Sequence, residues 1–288
     1  MNFNDLQAFV AVAEHASFSV AAESLHLTQP AITKRVQNLE LLYEIRLFDR
    51  IGRRVVLTQA GETLLPNAYQ LLHTVQDTQR QLQNLSSQVS GTLSIATSHH
   101  IGLHRLAPVL RRFRSAYPEV ALNLSFEDSE VAHQMVRQGQ VELAVVTLDP
   151  AGEADLTSIR IWHDPLLFVS HKPASTTLSL SELAEQPCVL PGQGTYTGRI
   201  VTDRFTAAGL SLNPAMSTNY LETIGMLVSV GLGWSVLPAT MQGDLHQIPV
   251  ATETISRTLG VVLNPQRVLS RAASALVDVL QEDADKTE

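Results

Sequence analysis

The sequence predicts an α/β protein with three parts: an N-terminal winged helix-turn-helix, a long connecting helix and a two-lobed α/β region. Three observations predict it. Residues 18–42 read as two short helices joined by a tight turn. Residues 64–85 carry apolar side chains at alternating spacings of four and three. From residue 92 onward, short apolar strands alternate with amphipathic helices.

In the first part, Ala21, Ala22 and Leu25 recur at helical spacing, and Ile32, Val36 and Leu39 form the buried stripe of the next helix. Thr28 is placed to cap that second helix, and Pro30 fits its first turn, where a missing N–H costs nothing. Gln29, Thr33, Lys34 and Gln37 face the other way. Hydrogen-bonding and basic groups on such a face suit the reading of base edges in a major groove. Upstream, Leu6, Phe9, Val10, Val12 and Ala13 make an amphipathic helix able to back the pair. Downstream, Gly52 turns a short hairpin in which Val55 and Leu57 alternate as in a strand. Arg50, Arg53 and Arg54 crowd around that turn. Between Lys34 and Arg54 stand six basic residues against three acidic ones, inside a chain of net charge −8. A basic strip on an acidic protein points to a local nucleic-acid surface.

These residues carry a specific resemblance. Asp5-Leu6-Gln7-Ala8-Phe9, Ser17-Phe18-Ser19-Val20-Ala21-Ala22, Thr28-Gln29-Pro30-Ala31-Ile32-Thr33, Arg46-Leu47-Phe48-Asp49-Arg50 and Leu57-Thr58-Gln59-Ala60-Gly61 together resemble the DNA-binding domain of LysR-type transcriptional regulators. The resemblance covers residues 1–61 closely and the rest of the chain more loosely. It implies a dimer or tetramer, binding to a double-stranded DNA operator, RNA polymerase as a candidate partner, and a C-terminal domain that senses a small molecule. It also implies DNA contacts from Gln29, Pro30, Thr33 and Lys34 on the recognition helix and from Arg53 in the wing, with Arg54 beside it. Two positions depart from the family pattern: Lys34 stands where Arg is usual, and Glu44 where Gly is usual. An ammonium lacks the planar fork with which a guanidinium grips guanine.

Length and composition fit one small domain and one larger one. The chain has 288 residues and is 44% hydrophobic, ordinary for a soluble globular protein. Its one cysteine, Cys188, rules out a disulfide within the chain, and its setting, Pro187-Cys188-Val189-Leu190, reads as a buried strand. The N-terminus carries no basic, apolar signal segment, so a cytoplasmic location is expected. Thr223 to Gly243 holds no charge over a length that could span a bilayer. However, Gly231, Gly233 and Pro238 break it, and it reads as a core helix, a turn and a buried strand, with no membrane partner expected.

A helix is expected over about residues 59–88, with Leu64, Ala68, Leu71, Val75, Thr78, Leu82 and Leu85 as a heptad seam. So long and polar a helix needs a partner for that seam, and a second copy of the chain is the simplest. Ser86, Ser87, Ser90 and Gly91 read as a hinge. The boundaries expected are 1–58 for the winged domain, 59–90 for the dimerisation helix and hinge, and 91–288 for the ligand-sensing region. Its strands and helices imply two lobes with parallel sheets. The resemblance adds that the lobes are periplasmic-binding-protein-like. It places lobe I at about 91–162 and 265–288 and lobe II at about 163–264, with the last helix, Val268 to Leu280, rejoining lobe I.

Ligands in such sheets sit at strand C-terminal ends, beside helix N-termini. Three segments fit: Thr97-Ser98-His99-His100, Asp128-Ser129, and the loop Pro191 to Gly198. The expected effector-binding residues are Thr97, Ser98, His99, Ser129, Gly194, Thr195 and Thr197, holding a small polar or anionic co-inducer, with no other cofactor. Few carboxylates line these segments, apart from Asp128. His100 and His104 stand four apart, but no nearby Cys, Asp or Glu completes a metal site, and none is expected. No catalytic residue is expected either. There is no Gly-x-Ser-x-Gly elbow, phosphate-binding Lys motif or His-Glu-x-x-His, and Trp162-His163-Asp164 and Glu127-Asp128 read as lone polar groups at strand ends. A transported solute-binding protein would leave the wing unexplained.

Overall fold

The computed structural model describes residues 2–51, 54–85 and 88–285, with backbone alone for Arg50, Ile51 and Arg54. It divides into two compact units, residues 1–85 and 86–288.

The first unit opens with three helices, α1 (Phe3–His15), α2 (Phe18–Ser24) and α3 (Gln29–Tyr43). An antiparallel hairpin follows, β1 (Phe48–Ile51) and β2 (Arg54–Leu57), paired from Phe48↔Leu57 to Ile51↔Arg54. Helix α4 (Gln59–Gln83) ends the unit, five residues short of the expected limit. The predicted stripes are the core: Leu6, Phe9, Val12, Ala21, Ile32, Val36 and Leu39 are all buried, and the Phe9 and Phe48 rings lie 5.3 Å apart. The Glu40 carboxylate accepts the Leu47 N–H at 2.8 Å and so ties the hairpin to α3. Thr28 occupies the cap position of α3, but its hydroxyl makes no capping bond. Pro30 offers no N–H, and the Ala31 N–H is taken by the Thr28 carbonyl, which leaves a capping hydroxyl little to receive.

Glu44 ends α3 at φ 53°, in the left-handed region, where a side chain is strained and glycine is not. Gly61 is required for another reason: a Cβ there would lie 2.3 Å from the Leu47 carbonyl oxygen. Along α4, Ala68 and Leu72 are buried in the unit's own core, while Leu71, Val75, Leu82 and Leu85 are exposed, the last by 81%. The seam is therefore split. Its first turns, shifted onto Leu72, stabilise the winged domain, and its later positions stand exposed among the described residues.

The second unit begins with β3 (Gly91–Thr97) and α5 (His99–Ile101). A π-turn over Gly102–Leu106 leads into α6 (Ala107–Ala116). Then come β4 (Val120–Phe126), α7 (Ser129–Arg137), β5 (Leu143–Thr147) and the 14-residue β6 (Thr157–Ser170). Next are α8 (Leu180–Ala184), β7 (Val189–Leu190), α9 (Tyr196–Ala207), β8 (Met216–Ser217) and α10 (Leu221–Ser229). Strands β9 (Ser235–Pro238), β10 (His246–Gln247) and β11 (Ile255–Leu263) precede the last helix, α11 (Arg271–Glu282). The uncharged stretch at 223–243 is thus split between α10 and β9, and among the described residues no helix is long and apolar enough to cross a membrane.

The main sheet runs β10-β6-β11-β5-β3-β4, with β9 also on β6. The expectation of parallel sheets needs correction. Strands β4, β3 and β5 are parallel, but β11 runs antiparallel to both β5 and β6, and β9 and β10 are antiparallel to β6. The reason is topological: β6 carries the chain out of one lobe and β11 brings it back, so the two must run in opposite directions. Ile161, Trp162, Leu259 and Val261 share a core with Leu93, Ile95, Phe113 and α11, while Leu166, Phe168 and Ile255 pack with Phe205 and Trp234. The outward crossing therefore falls at residues 162–166, and the return at 255–259, within β11 rather than near 265. A bulge between Leu259 and Gly260 marks the return, and a Cβ on Gly260 would meet the Ile159 carbonyl oxygen at 2.1 Å. Cys188 is buried in lobe II, and burial pushes its thiol up to about 11, so it is an inert core residue.

At the crossing, Asp164 and Arg257 are register partners. Asp164 is fully buried, and Arg257 Nε donates to its Oδ2 at 2.8 Å. Arg105 Nη2 reaches Asp164 Oδ1 at 3.4 Å. Asp164 is thus no lone polar group at a strand end; it sits mid-strand, with its charge met.

Two predictions follow from these strains and pairs. Glu44→Gly should stabilise the first unit by about 0.5–1 kcal/mol, the relief of a left-handed side chain less the entropy of a glycine; slower hydrogen exchange in peptides from α1–α3 would show it, and unchanged or faster exchange would refute it. Asp164→Ala should cost ~3–5 kcal/mol by stranding a buried guanidinium. Both tryptophans, Trp162 and Trp234, lie in the second unit, so their fluorescence in urea measures it directly.

Candidate nucleic-acid interface and interlobe cleft

In the winged unit the apolar stripe of α3 faces inward, which leaves Gln29, Pro30 and Lys34 exposed and Thr33 half-buried at its N-terminal half. Gln37 is exposed one turn further on. Four of the six residues expected to meet DNA are thus brought onto one outward surface by a helix held at a fixed angle. The strands of the wing form as expected. Gly52 and Arg53, which the sequence places at its turn, lie outside the described residues, and so does the Arg54 side chain.

The second unit holds a cleft between its lobes. Lobe I lines it with Ser98, His99, His100, Asp128, Ser129, Glu130 and Thr147, and lobe II with Thr195, Tyr196, Thr197, Asn219, Tyr220 and Glu222, while Arg257 on β11 forms its floor. Ser98 starts α5 without spending its hydroxyl on a cap. Thr195 caps α9, its hydroxyl accepting the Gly198 N–H at 3.0 Å. The Ser129 hydroxyl accepts the Thr147 N–H at 3.2 Å. Thr197 accepts from Arg257 Nη1 at 2.8 Å. His99 lies against Phe126 and, across the cleft, against the Tyr220 ring at 5.2 Å.

Two expected effector residues are elsewhere. Thr97 is buried at the end of β3, where its hydroxyl donates to the Val145 carbonyl at 2.7 Å and ties β3 to β5. Gly194 is exposed and has no part in the lining, because the turn before α9 carries it away from the cleft. The lining is also more acidic than the sequence suggested, since Glu130 and Glu222 join Asp128 in it.

The lobes are drawn together. The Tyr196 N–H, at the start of α9, donates to the Glu130 carboxylate, and Asn219 Nδ2 donates to Asp128 Oδ2 at 2.6 Å. Burial raises the Glu130 carboxyl above its usual range, while its backbone hydrogen bonds and Arg199 oppose that rise. The space that remains is about 50 Å³, against a usual lower bound of ~300 Å³ for small-molecule pockets. A helix N-terminus that favours anions is therefore already filled, by a carboxylate of the same chain.

The floor keeps unused bonding capacity. Arg257 Nη2 and both ring nitrogens of His100 are buried without a hydrogen-bond partner. Burial first, then the nearby Arg257, lowers His100 to about 3, so its imidazole is neutral. Sequence reasoning missed Arg257, Asp164, Glu130 and Glu222. A signal for the first two was present: Arg257 is the one charge in β11 and Asp164 the one acidic residue in β6, and opposite charges in such settings are seldom buried unpaired.

With this geometry in place, comparison with known proteins identifies the family. The family model for the LysR substrate binding domain matches residues 86–285, and that for the bacterial regulatory helix-turn-helix protein, lysR family, matches residues 3–62. A probable RuBisCO transcriptional regulator of Trichormus variabilis is 33% identical over 287 residues, covering 94% of this chain and 85% of that one. An uncharacterized HTH-type transcriptional regulator of Azotobacter vinelandii is 59% identical over 108 residues, 38% of this chain and 75% of that protein. Among solved structures, full-length OxyR from Pseudomonas aeruginosa is similar over 100% of this chain and 99% of its own, with a TM-score of 0.71 at 22% identity. Full-length CbnR in complex with its target DNA is similar over 99% and 100%, with a TM-score of 0.65 at 21% identity. These two likenesses show the fold. The domain matches and the full-length relative show the rest: the chain belongs to the LysR family of transcriptional regulators.

Proposed function

We propose that this regulator reads its operator with Gln29, Pro30, Thr33 and Lys34 in the major groove and with Arg53 and Arg54 on the wing, and that a small polar or anionic metabolite in the interlobe cleft modulates its action. The reading of DNA rests on the outward face of α3 and on the basic strip around the hairpin. Self-association into a dimer or tetramer rests on the exposed Leu71, Val75, Leu82 and Leu85 of α4. RNA polymerase as a partner and a cytoplasmic location are the family's usual setting and complete the proposal.

One observation carries the ligand reading. The cleft floor holds a buried guanidinium with a free Nη2, beside the hydroxyls of Ser98, Ser129, Thr195 and Thr197. Buried donors without partners are uncommon and costly, and an oxyanion or a polar oxygen would satisfy this one. Such a ligand has to displace Glu130 from the start of α9 and part the lobes, because the present space is too small for a metabolite. Ser98 and His99 would meet it from lobe I, and Thr195 and Thr197 from lobe II. The three carboxylates of the lining then act as a filter: an anion enters where its gain at Arg257 and the helix N-terminus exceeds their repulsion.

Two outcomes are expected. Gln29→Ala should lose about 1–3 kcal/mol of operator binding while leaving random DNA nearly unchanged, as measured by fluorescence anisotropy; equal losses on both would remove Gln29 from base reading. In a thermal-shift panel of carboxylates and phosphates, a metabolite present at a hundred times its dissociation constant should stabilise the protein by about 2.7 kcal/mol. Ser98→Ala should weaken that shift and keep operator binding. A hit whose shift survives Ser98→Ala would move the effector out of the cleft.

A further inference from the structure

The π-turn of lobe I brings three metal-ligating side chains to one point with α10 of lobe II. His100 lies in α5, His104 in the π-turn, and Glu222 in the first turn of α10. One ligand atom from each lies within 4.8 Å of the other two. The histidine rings are 5.0 Å apart, and His104 Nε2 is already 3.5 Å from Glu222 Oε1. In sequence the two histidines lack a third ligand; the fold supplies it from 118 positions beyond His104.

The bonding state of these groups points to an absent partner. His100 is only 4% exposed, and neither of its ring nitrogens has a hydrogen-bond partner. Glu222 Oε1 is also buried and without one. A buried imidazole normally fixes its tautomer by a hydrogen bond on at least one nitrogen. Here Nε2 lies 3.9 Å from Asp164 Oδ2, beyond hydrogen-bond reach, and one ring nitrogen is within 4.8 Å of ligand atoms of His104 and Glu222. π-turns within helices are rare and gather at functional sites.

We propose that His100, His104 and Glu222 form a three-ligand site for a divalent transition metal of the zinc class, bound across the two lobes. Two imidazoles and one carboxylate, with a fourth position open, are a regular zinc donor set, and imidazole ligands disfavour calcium and magnesium. Tetrahedral coordination at ~2.0–2.2 Å sets ligand atoms about 3.3 Å apart. The His104 and Glu222 side chains are 35% and 37% exposed and can close that distance by side-chain rotation. Around them, the cations Arg257 and Arg105 are offset by Asp164 and Glu222. A bound dication therefore leaves surplus positive charge, and its open position takes a hydroxide or an anionic oxygen from the cleft. Because the histidines belong to lobe I and the carboxylate to lobe II, the metal fastens the lobes together. The site does not depend on the metabolite reading, since it is assembled with the metal alone.

The test uses the full-length protein, stripped with a chelator and titrated with Co2+ and then Zn2+, with no other ligand added. One Co2+ per chain should give the visible absorption of four-coordinate cobalt and be displaced by one equivalent of Zn2+. In titration calorimetry, His104→Gln and Glu222→Gln should each weaken Zn2+ binding by at least ~100-fold, the upper range for losing even an outer-shell partner. His246→Gln, on exposed β10, should change nothing. Unchanged tryptophan fluorescence would establish that the variants are folded. Absence of stoichiometric cobalt binding would overturn the proposal and leave His104 and Glu222 as an ion pair alone. Zinc affinity indifferent to both variants would overturn it equally, by placing the metal elsewhere.

Discussion

The pairing of Arg257 with Asp164 is the constraint on which the second unit depends. Two charges removed from water are tolerable only when each meets the other in good geometry. Here that geometry is a property of register: the residues stand opposite each other on β11 and β6, 93 positions apart in sequence. A slip of one residue between these strands would turn one of the two charges to the opposite face of the sheet and leave both without their partner. The pair therefore specifies how the two crossing strands align, whatever its net contribution to stability. Gly260 and its bulge then let β11 change course, on the lobe I side, without colliding with β6. From the same guanidinium, a hydrogen bond to Thr197 sets the start of α9. Hinge, cleft floor and one wall are thus built from a single arginine.

The winged unit rests on a different principle. Its contacts are local: one stripe per helix, a short hairpin, and a carboxylate, Glu40, that reaches only seven residues along the chain. For that reason it was legible. The stripes of α1, α2 and α3 and the hairpin strands follow from periodicity, and the outward surface of α3 is what remains once Ile32, Val36 and Leu39 are turned inward. Several strands and helices of the lobes were legible for the same reason, but β11 was not read at all and β6 only over Leu166–Ser170.

What could not be read was pairing across the chain. Periodicity locates a strand and gives neither its neighbours nor its direction: the sheets were expected to be parallel, yet β6 runs antiparallel to β11, a strand the sequence reading did not place at all. Asp164 looked isolated because its partner is supplied only by that pairing. Glu222 lies 118 positions from His104, and Glu130 lies 66 from Tyr196. Thr97 was misplaced by a subtler failure: it stands at the correct strand end, but its hydroxyl is used inside the sheet. The heptad seam of α4 was half right, because a regular pattern does not say where one burial surface gives way to another; that exchange falls between Leu72 and Val75.

The adjacent crossing strands also determine what kind of motion the lobes can make. β6 and β11 are hydrogen-bonded to each other along the whole passage from one lobe to the other, so sliding or pulling apart would break a ladder, whereas twisting or bending the pair breaks little. The lobes are therefore mounted on a torsion rod, with Asp164 and Arg257 close to its axis. Displacement grows with distance from a rotation axis. The ion pair would move least in any opening, while contacts toward the outer lip of the cleft would travel furthest and be the first to part. The protein can in this way keep this deeply buried charge pair intact as the lobes move, and confine bond making and breaking to side chains that water can reach.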